Sequence, residues 1–370
     1  MKNVAHAWIM QLGRYEAGQP LEELARELGC ASAAEIIKLA SNENALGPSP
    51  RALRAMRRVA AQMHRYPDGN AYYLRRALAA RLRVRAGQIL IGNGSNEIIE
   101  LVGQAFLGPG TEMIMAQQSF AVYHLVAALR RAKPVLVPMR DFRHDLAAMA
   151  AAITPRTRVI FIANPNNPTG TMVDGAAIAR FMQRLPPHLV VCFDEAYMDL
   201  LPPRQQPATL EYARQGRRVF ILRTFSKAYG LAGLRVGYAI SALEGIALLN
   251  KVRQPFNVNA MALAAAEAAL GDSAFLRRTR QMVREGLAFF EKNLPRLGLA
   301  YVPSVVNFML VKVGAGRAVF QALQREKVIV RPMDGYGLPE YIRLTIGTRR
   351  ENERCLRALA KVLGRKISRA

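Results

Sequence analysis

Short apolar runs alternate with helix-like segments from about residue 88 onward, and this rhythm constrains the fold of the 370-residue chain more than any other feature. Apolar runs separated by helical patterns are typical of parallel strands joined by crossover helices. We therefore predict an α/β fold whose large domain has a mostly parallel central sheet sandwiched by helices. The runs cover residues 89–91, 112–115, 135–137, 159–163, 190–193, 219–222 and 236–240.

The pattern changes in the last third of the chain. A long charged helical stretch at 274–294 is followed by apolar runs at 307–313, 328–330 and 341–346 and by a final helical pattern at 350–363. Fewer and more separated elements predict a smaller α/β layer packed against the first. We divide the chain into an N-terminal arm (1–40), a large cofactor-binding domain (41–260) and a small C-terminal domain (261–370).

The composition limits the possible partners. The formal net charge is +25, from 52 basic and 27 acidic residues, which favours an anionic partner of some kind. The arginines are scattered at helix-like spacings without a recognition motif, so a phosphorylated metabolite is favoured over nucleic acid. No run approaches the roughly 20 apolar residues that a membrane helix needs. We expect small-molecule substrates and neither nucleic acid nor a membrane as partner.

The cysteines bear on location and on metals. Cys30, Cys192 and Cys355 are odd in number and far apart, which supports neither a disulfide framework nor a zinc site. Residues 1–14 lack the unbroken apolar core of a secretion signal. These features predict a cytoplasmic protein with no metal site.

Lys227 stands among hydroxyls, glycines and an arginine directly after an apolar run. A lysine can hold an aldehyde cofactor covalently when its amine has lost its proton, which requires a depressed pKa. Ser226 and Arg235 in the same segment suit a phosphate, the other end of pyridoxal 5′-phosphate. A lysine after a strand is by itself more often a plain surface residue, so the prediction depends on the other segments.

Two segments could contribute to a phosphate or ring site. Gly94, Ser95 and Asn96 follow the run at 89–91 and open a helix, whose free N–H groups and dipole attract phosphate. The rigid turn at 164–170, which contains Asn167, follows another run, so it lies at the carboxyl end of a strand, where open α/β sheets bind ligands. Each segment alone is also compatible with an ordinary capped helix or a well-made turn.

An acid and two aromatic residues could contact a cofactor ring. Asp194 ends the run at 190–193, where a carboxylate can keep a pyridine nitrogen protonated; the alternative is a helix cap. Phe120 and Tyr123 could stack on the ring or pack in the core, and core packing is favoured for either residue alone.

Basic residues in apolar surroundings indicate a site for an anionic substrate. Arg343 lies within the apolar run at 341–346, and a buried guanidinium needs a counter-ion, for which a substrate carboxylate is suited. Arg331 follows the run at 328–330 as a second such arginine. Tyr66, in the turn at 65–70, could serve as a donor to phosphate or only as a loop residue.

The chain resembles the histidinol-phosphate aminotransferases, which are class II, fold type I pyridoxal-phosphate enzymes. The resemblance covers nearly the whole chain and is carried by an ordered set of segments: SNENALGPSP, RYPDG, GNGSNE, NPNNPTG, DEAY, FSKAYGLAGLRVGY and IRLTIGT.

The resemblance implies roles in cofactor binding. Lys227 is the Schiff-base lysine and Asp194 the partner of the pyridine nitrogen, while Asn167 and Tyr197 bind the ring hydroxyl. Phe120 occupies the ring-stacking position, where many relatives carry tyrosine. The implied phosphate ligands are Gly94, Ser95, Asn96, Thr224, Ser226 and Arg235, with Tyr66 reaching in from the neighbouring subunit of a homodimer.

The resemblance also implies substrate contacts. Arg343 would bind the substrate carboxylate, and Arg331 with Tyr15 would lie near the distal group, with Asn44 as a further contact. Ala17 and Ala45 depart from the prolines that are usual in this arm, so they concern specificity rather than chemistry.

Four functions remain open at this point. The leading one is an aminotransferase that uses histidinol phosphate and 2-oxoglutarate in histidine biosynthesis. An aromatic amino-acid aminotransferase and, more distantly, a threonine-phosphate decarboxylase share the fold and cofactor, which cannot separate them. A catalytically idle sensor is disfavoured because both Lys227 and Asp194 are retained.

Overall fold

The structure is a computed structural model that describes Met1 and residues 4–12 and 20–366. The strands are β1 (Ile37–Lys38), β2 (Ile89–Gly92), β3 (Glu112–Ala116), β4 (Lys133–Val137), β5 (Thr157–Ala163), β6 (Val190–Asp194), β7 (Val219–Thr224), β8 (Gly237–Ile240), β9 (Tyr301–Val302), β10 (Phe308–Lys312), β11 (Val328–Ile329), β12 (Arg331–Pro332) and β13 (Tyr341–Thr345). The helices are α1 (Leu21–Glu27), α2 (Pro50–Val59), α3 (Tyr72–Leu82), α4 (Gly94–Phe106), α5 (Val122–Leu129), α6 (Leu146–Ala151), α7 (Gly175–Gln183), α8 (Leu210–Arg214), α9 (Leu243–Val252), α10 (Ala260–Leu270), α11 (Ser273–Asn293), α12 (Gly316–Arg325) and α13 (Arg349–Val362).

Seven strands form the central sheet in the order β2-β8-β7-β6-β5-β3-β4. The pairs from β7 through to β4 are parallel, while β8 is antiparallel to both of its neighbours. All seven apolar runs predicted from the sequence are strands of this sheet. The predicted fold class, a mostly parallel sheet flanked by helices, is confirmed.

Both faces of the sheet are covered, which explains why its strands read as continuous apolar runs. On β5, Ile160 and Ile162 pack into one core cluster, whereas Val159 and Phe161 pack into the other. Successive side chains of a strand point to opposite faces, so each run must be apolar at every position.

A second, antiparallel sheet has the order β12-β13-β10-β9, and it packs with α11 and α13 around its own core. The two predicted helices at 274–294 and 350–363 correspond to α11 and α13, each displaced by one residue. Asp272 caps the start of α11, and a Thr348–Glu351 capping box starts α13. The proposed boundaries near residues 40 and 260 stay predictions.

The N-terminal part joins this second layer through β1, which pairs in parallel with β11. β1 and β11 form a separate two-stranded sheet. Arg331, one residue beyond the predicted run at 328–330, begins β12 at the edge of the four-stranded sheet. Within the described residues, no helix is both long and apolar enough to span a membrane.

Candidate active site

The predicted site residues of the large sheet meet at one edge because β5, β6 and β7 are parallel neighbours. Their carboxyl ends lead into the turn at 164–170, into Asp194 and into the segment that carries Lys227. Ligands in open α/β sheets bind at this edge.

Asp194 is a buried carboxylate held by neutral donors. The Tyr123 hydroxyl donates to Asp194 Oδ2 at 2.7 Å, and the Ala196 N–H donates to Oδ1 at 3.2 Å. Burial raises the pKa of Asp194 to about 6 against the opposing effect of these hydrogen bonds. Its neighbour Glu195 instead forms a buried ion pair with Arg223 at 2.8 Å. Asp194 is therefore the acid whose charge suits a cationic ligand atom, such as a protonated ring nitrogen.

Lys227 is placed so that its amine readily loses a proton. Its Nζ donates to the Ser41 carbonyl oxygen at 3.1 Å and lies 5.7 Å from the centre of the Tyr197 ring. Burial, followed by the positive charge of Arg343, lowers the pKa of Lys227 to about 8. A neutral amine is the form that reacts with an aldehyde or accepts a proton.

Hydroxyls, a guanidinium and a helix start converge beside Lys227. Thr224 Oγ1 donates to Ser226 Oγ at 2.9 Å, and Arg235 Nη1 donates to the same oxygen at 3.4 Å. Gly94 has a φ of +73°, and a Cβ there would lie 2.4 Å from Arg235 Nη2. The positive φ favours glycine here, and the start of α4 lies against the guanidinium. The donor set fits a phosphate.

Ser95 and Asn96 follow Gly94 in the first turn of α4, with Ser95 buried and Asn96 exposed. The first N–H groups of a helix have no partner within the helix. The sequence predicts that the N–H groups of Ser95 and Asn96 bind the cofactor phosphate, and this role stays a prediction.

Tyr197 and Asn167 contact residues of the four-stranded antiparallel sheet: the Tyr197 ring packs on Phe308, and Asn167 contacts Arg343. The Asn42 amide donates to the Tyr197 hydroxyl at 3.0 Å, and Arg343 Nη1 donates to Asn167 Oδ1 at 2.5 Å. Burial raises the pKa of Tyr197 to about 12, so its hydroxyl keeps the proton that it can donate to a ring oxygen.

The two predicted substrate arginines occupy facing positions. Arg331 on β12 is the direct register partner of Arg343 on β13. Arg343 is buried, donates to the Ala40 carbonyl oxygen at 2.8 Å, and lies 5.3 Å from the Phe308 ring centre. Among the described residues, no carboxylate forms an ion pair with Arg331. Directly opposed strand residues have side chains on the same face, so two positive groups can meet one anion.

Other predicted residues make different contacts. Tyr66 is 83% exposed and stacks on Phe256 with ring centres 4.8 Å apart. Phe120 is half-buried and packs edge-to-face on Tyr123 at 5.8 Å. The Asn44 amide donates to the Ala228 carbonyl oxygen and the Thr279 hydroxyl, both at 3.1 Å, next to the Lys227 segment. Tyr15 lies outside the described residues.

Two contacts in the site were not predicted from the sequence. Tyr123 packs in the core, stacked on Phe161 at 4.6 Å, but its hydroxyl also contacts Asp194. Asn42 contacts Tyr197 from 155 positions away. The only available signal was the position of Asn42 within the SNENALGPSP segment, and no local pattern reveals such a partner.

Comparisons with known proteins show the family to which the chain belongs. The family model described as aminotransferase class I and II matches residues 34–359. The chain is 50% identical over 360 residues to histidinol-phosphate aminotransferase 2 of Ralstonia nicotianae, covering 96% of each protein. It is 48% identical to the histidinol-phosphate aminotransferase of Moorella thermoacetica, covering 96% of this chain and 92% of that protein.

A solved structure is also similar. The histidinol-phosphate aminotransferase of Sinorhizobium meliloti, in complex with pyridoxal-5′-phosphate, superposes with a TM-score of 0.88 at 27% identity and covers 98% of both chains. The predicted family, enzyme class, fold type I architecture and cofactor are confirmed. The chain belongs to the class I and II aminotransferases, which here means a pyridoxal-phosphate-dependent enzyme of fold type I.

Proposed function

We propose that this protein transfers the amino group between histidinol phosphate and 2-oxoglutarate, a step of histidine biosynthesis. Relatives with 48–50% identity over nearly the whole chain bear the name histidinol-phosphate aminotransferase. The observation that carries the proposal within the site is the facing pair of Arg331 and Arg343.

A phosphate ester explains two arginines better than a carboxylate does. A phosphate carries about 1.5 to 2 negative charges at pH 7, and guanidinium groups bind it with strong charge-assisted hydrogen bonds. A carboxylate needs one such partner, which Arg343 supplies. The second guanidinium, Arg331, has no ion-pair partner among the described residues, so it suits the additional charge of a phosphorylated amine.

The residues present fit the cofactor at each of its polar groups. Asp194 would keep the ring nitrogen protonated, Phe120 would pack on the ring, and Asn167 and Tyr197 would bind the ring hydroxyl. The residues that would hold its phosphate are Gly94, Ser95, Asn96, Thr224, Ser226 and Arg235. When bound, the cofactor supplies an electron-withdrawing ring that stabilises negative charge at the substrate's α-carbon.

Lys227 performs the proton transfer. Its amine, with a pKa lowered to about 8, would move the proton between the substrate's α-carbon and the cofactor's C4′, acting first as a base and then as an acid. The Ser41 carbonyl oxygen orients this amine. Arg343 holds the anionic group of the substrate, and this contact fixes the α-carbon relative to Lys227.

We also propose a homodimer in which Tyr66 reaches the cofactor phosphate of the neighbouring subunit. The support is a set of exposed aromatic side chains that could contact a second subunit. Tyr66 stacks on Phe256, and Tyr72 packs edge-to-face on Tyr73. Mixing Tyr66→Phe subunits with Lys227→Ala subunits tests this, since hybrid dimers would have one intact site.

A cytoplasmic location stays a prediction from the cysteine pattern.

The substrate proposal is tested by comparing Arg331→Ala with wild type on histidinol phosphate, phenylalanine and tyrosine. Loss of one charge-assisted contact should lower kcat/KM for histidinol phosphate about ten- to a hundredfold and affect phenylalanine far less. Arg350→Ala, which removes an exposed arginine from α13, is the matched control.

Two outcomes would contradict the proposal. Equal losses for all donors would make Arg331 a structural residue. A wild-type enzyme that prefers phenylalanine or tyrosine to histidinol phosphate would instead be an aromatic amino-acid aminotransferase.

A further inference from the structure

A chain of hydrogen bonds connects the loop after α9 to the turn that begins α4. Arg253 Nη1 donates to Asn257 Oδ1 at 2.8 Å, and Asn257 Nδ2 donates to Glu97 Oε2 at 2.6 Å. The same Glu97 oxygen accepts the N–H of Asn93 at 2.6 Å. Asn257 Nδ2 also donates to the Ile91 carbonyl oxygen at 3.2 Å, at the end of β2. One amide therefore fixes both the strand end and the carboxylate that closes the turn.

The turn at residues 93–94, which this series of hydrogen bonds closes, is tightly packed. A Cβ on Gly94 would lie 2.4 Å from Arg235 Nη2, and a Cβ on Gly237 of β8 would lie 2.7 Å from the Ser95 nitrogen. The turn is thus packed between β8 and the Arg235 guanidinium. Its backbone conformation decides where the free N–H groups at the start of α4 point.

Glu97 has two ways to act on those N–H groups. While its carboxylate accepts the N–H of Asn93, the N-cap residue, it leaves the N–H groups of Ser95 and Asn96 for another anion. A released carboxylate in the first turn of a helix is itself attracted to those groups, and its negative charge would oppose a phosphate there. What holds Glu97 on Asn93 therefore favours phosphate binding.

We propose that Asn257 is a positioning residue for the cofactor phosphate, because it holds the Glu97 carboxylate on the Asn93 N–H and so keeps the start of α4 open to the phosphate. The inference rests on the proposed function, since it takes residues 94–96 as the cofactor-phosphate site. Asn257 acts through Glu97 and forms no hydrogen bond with Lys227 or Asp194 among the bonds of the described residues.

The same loop reaches the surface residue expected to serve the neighbouring subunit. Phe256, with a φ of 53°, precedes Asn257 and is 48% exposed, and its ring stacks on Tyr66. Asn257 thus also anchors the loop against which Tyr66 rests.

The experiment is a titration of cofactor-free protein with pyridoxal 5′-phosphate, in which the dissociation constant is read from absorbance. Asn257→Ala should raise this constant about ten- to a hundredfold, the usual effect of losing a hydrogen bond to a charged group. Turnover at saturating cofactor should stay close to wild type. Asn257→Asp keeps the Arg253 contact but repels Glu97, so it should bind the cofactor at least as weakly as Asn257→Ala. If Asn257→Ala does not fold, the dissociation constant of Asn257→Asp tests the inference in its place.

Two controls separate positioning from general loosening of the loop. Asn250→Ala removes a 3.1 Å contact to the Nε of the same Arg253 without contacting Glu97, so its dissociation constant should stay within about twofold of wild type. In a Glu97→Ala background, Asn257→Ala should add less than about twofold, since residues that act through one another are not additive.

The inference is overturned if Asn257→Ala binds the cofactor as tightly as wild type, if Asn250→Ala loses as much affinity as Asn257→Ala, or if Asn257→Ala costs as much affinity in the Glu97→Ala background as in the wild type. These outcomes are distinct from failure of the proposed function. A wild-type protein that binds no pyridoxal 5′-phosphate, or that does not accept histidinol phosphate, would refute the proposed function instead.

Discussion

Asp194 destabilises the cofactor-free protein, and Asp194→Asn is expected to stabilise it. Burial raises the pKa of this carboxyl from its ordinary 3.8 to about 6, even though Tyr123 and Ala196 donate hydrogen bonds to it. Each pH unit between those values is worth about 1.4 kcal/mol, so the ionised carboxylate costs about 3 kcal/mol above pH 6. Asparagine keeps the shape, since its oxygen accepts from Ala196 and the Tyr123 hydroxyl can turn to accept from its amide.

The effect has a defined pH dependence. Between pH 3.8 and about 6 the folded protein binds more protons at Asp194 than the unfolded chain does, so the free energy of unfolding of the wild type falls as pH rises. The asparagine variant has no such titration. The difference in unfolding free energy between variant and wild type should be near zero below pH 3.8 and reach about 3 kcal/mol at pH 7.

The assay is urea unfolding of both cofactor-free proteins from pH 3.5 to 8 at one protein concentration, because dimer stability depends on concentration. Glu244→Gln, a change at an exposed carboxyl of α9, is the control for removing one carboxylate from the surface. Pyridoxal 5′-phosphate should narrow or reverse the difference, since its ring nitrogen supplies the cation that Asp194 lacks. A variant that is less stable at pH 7, or a difference that does not change with pH, would refute the reasoning.

Three further outcomes are expected. Tyr123→Phe removes a hydrogen bond that lowers the pKa of Asp194, so the pH midpoint of cofactor affinity should rise by about one unit; an unchanged midpoint would contradict this. Gly94→Ala should weaken cofactor binding at least about tenfold in the same titration, because left-handed backbone disfavours a Cβ and Arg235 fills its space; wild-type affinity would show that the turn adapts. Covalent capture of pyridoxal phosphate by Lys227, followed by stopped-flow absorbance, should accelerate with pH and level off above about pH 8; acceleration continuing to pH 10 would mean an ordinary lysine.

The strands of the large sheet were predictable because burial on both faces leaves a local signature. Every position of a strand such as β5 must be apolar, and such runs are visible without any partner. The reversed direction of β8 was not predictable from its own run at 236–240. Direction depends on the connection: the segment between β7 and β8 carries Lys227 and has no crossover α-helix, so the chain returns antiparallel.

The positions of three site residues at the ends of strands were predictable from the sequence. Asn167, Asp194 and Lys227 each follow an apolar run, which places each of them at the carboxyl end of a strand. That the three strands are neighbours was decided by the fold, because strand order in this sheet does not simply follow chain order.

The tertiary structure alone decided which groups hold those residues in place. The Tyr123 hydroxyl reaches Asp194 across 71 positions, and Asn257 reaches Glu97 across 160. Such contacts follow no helical or strand period, because they depend on how whole elements pack against one another. A hydrogen bond between side chains that distant becomes visible only when the fold brings their elements together.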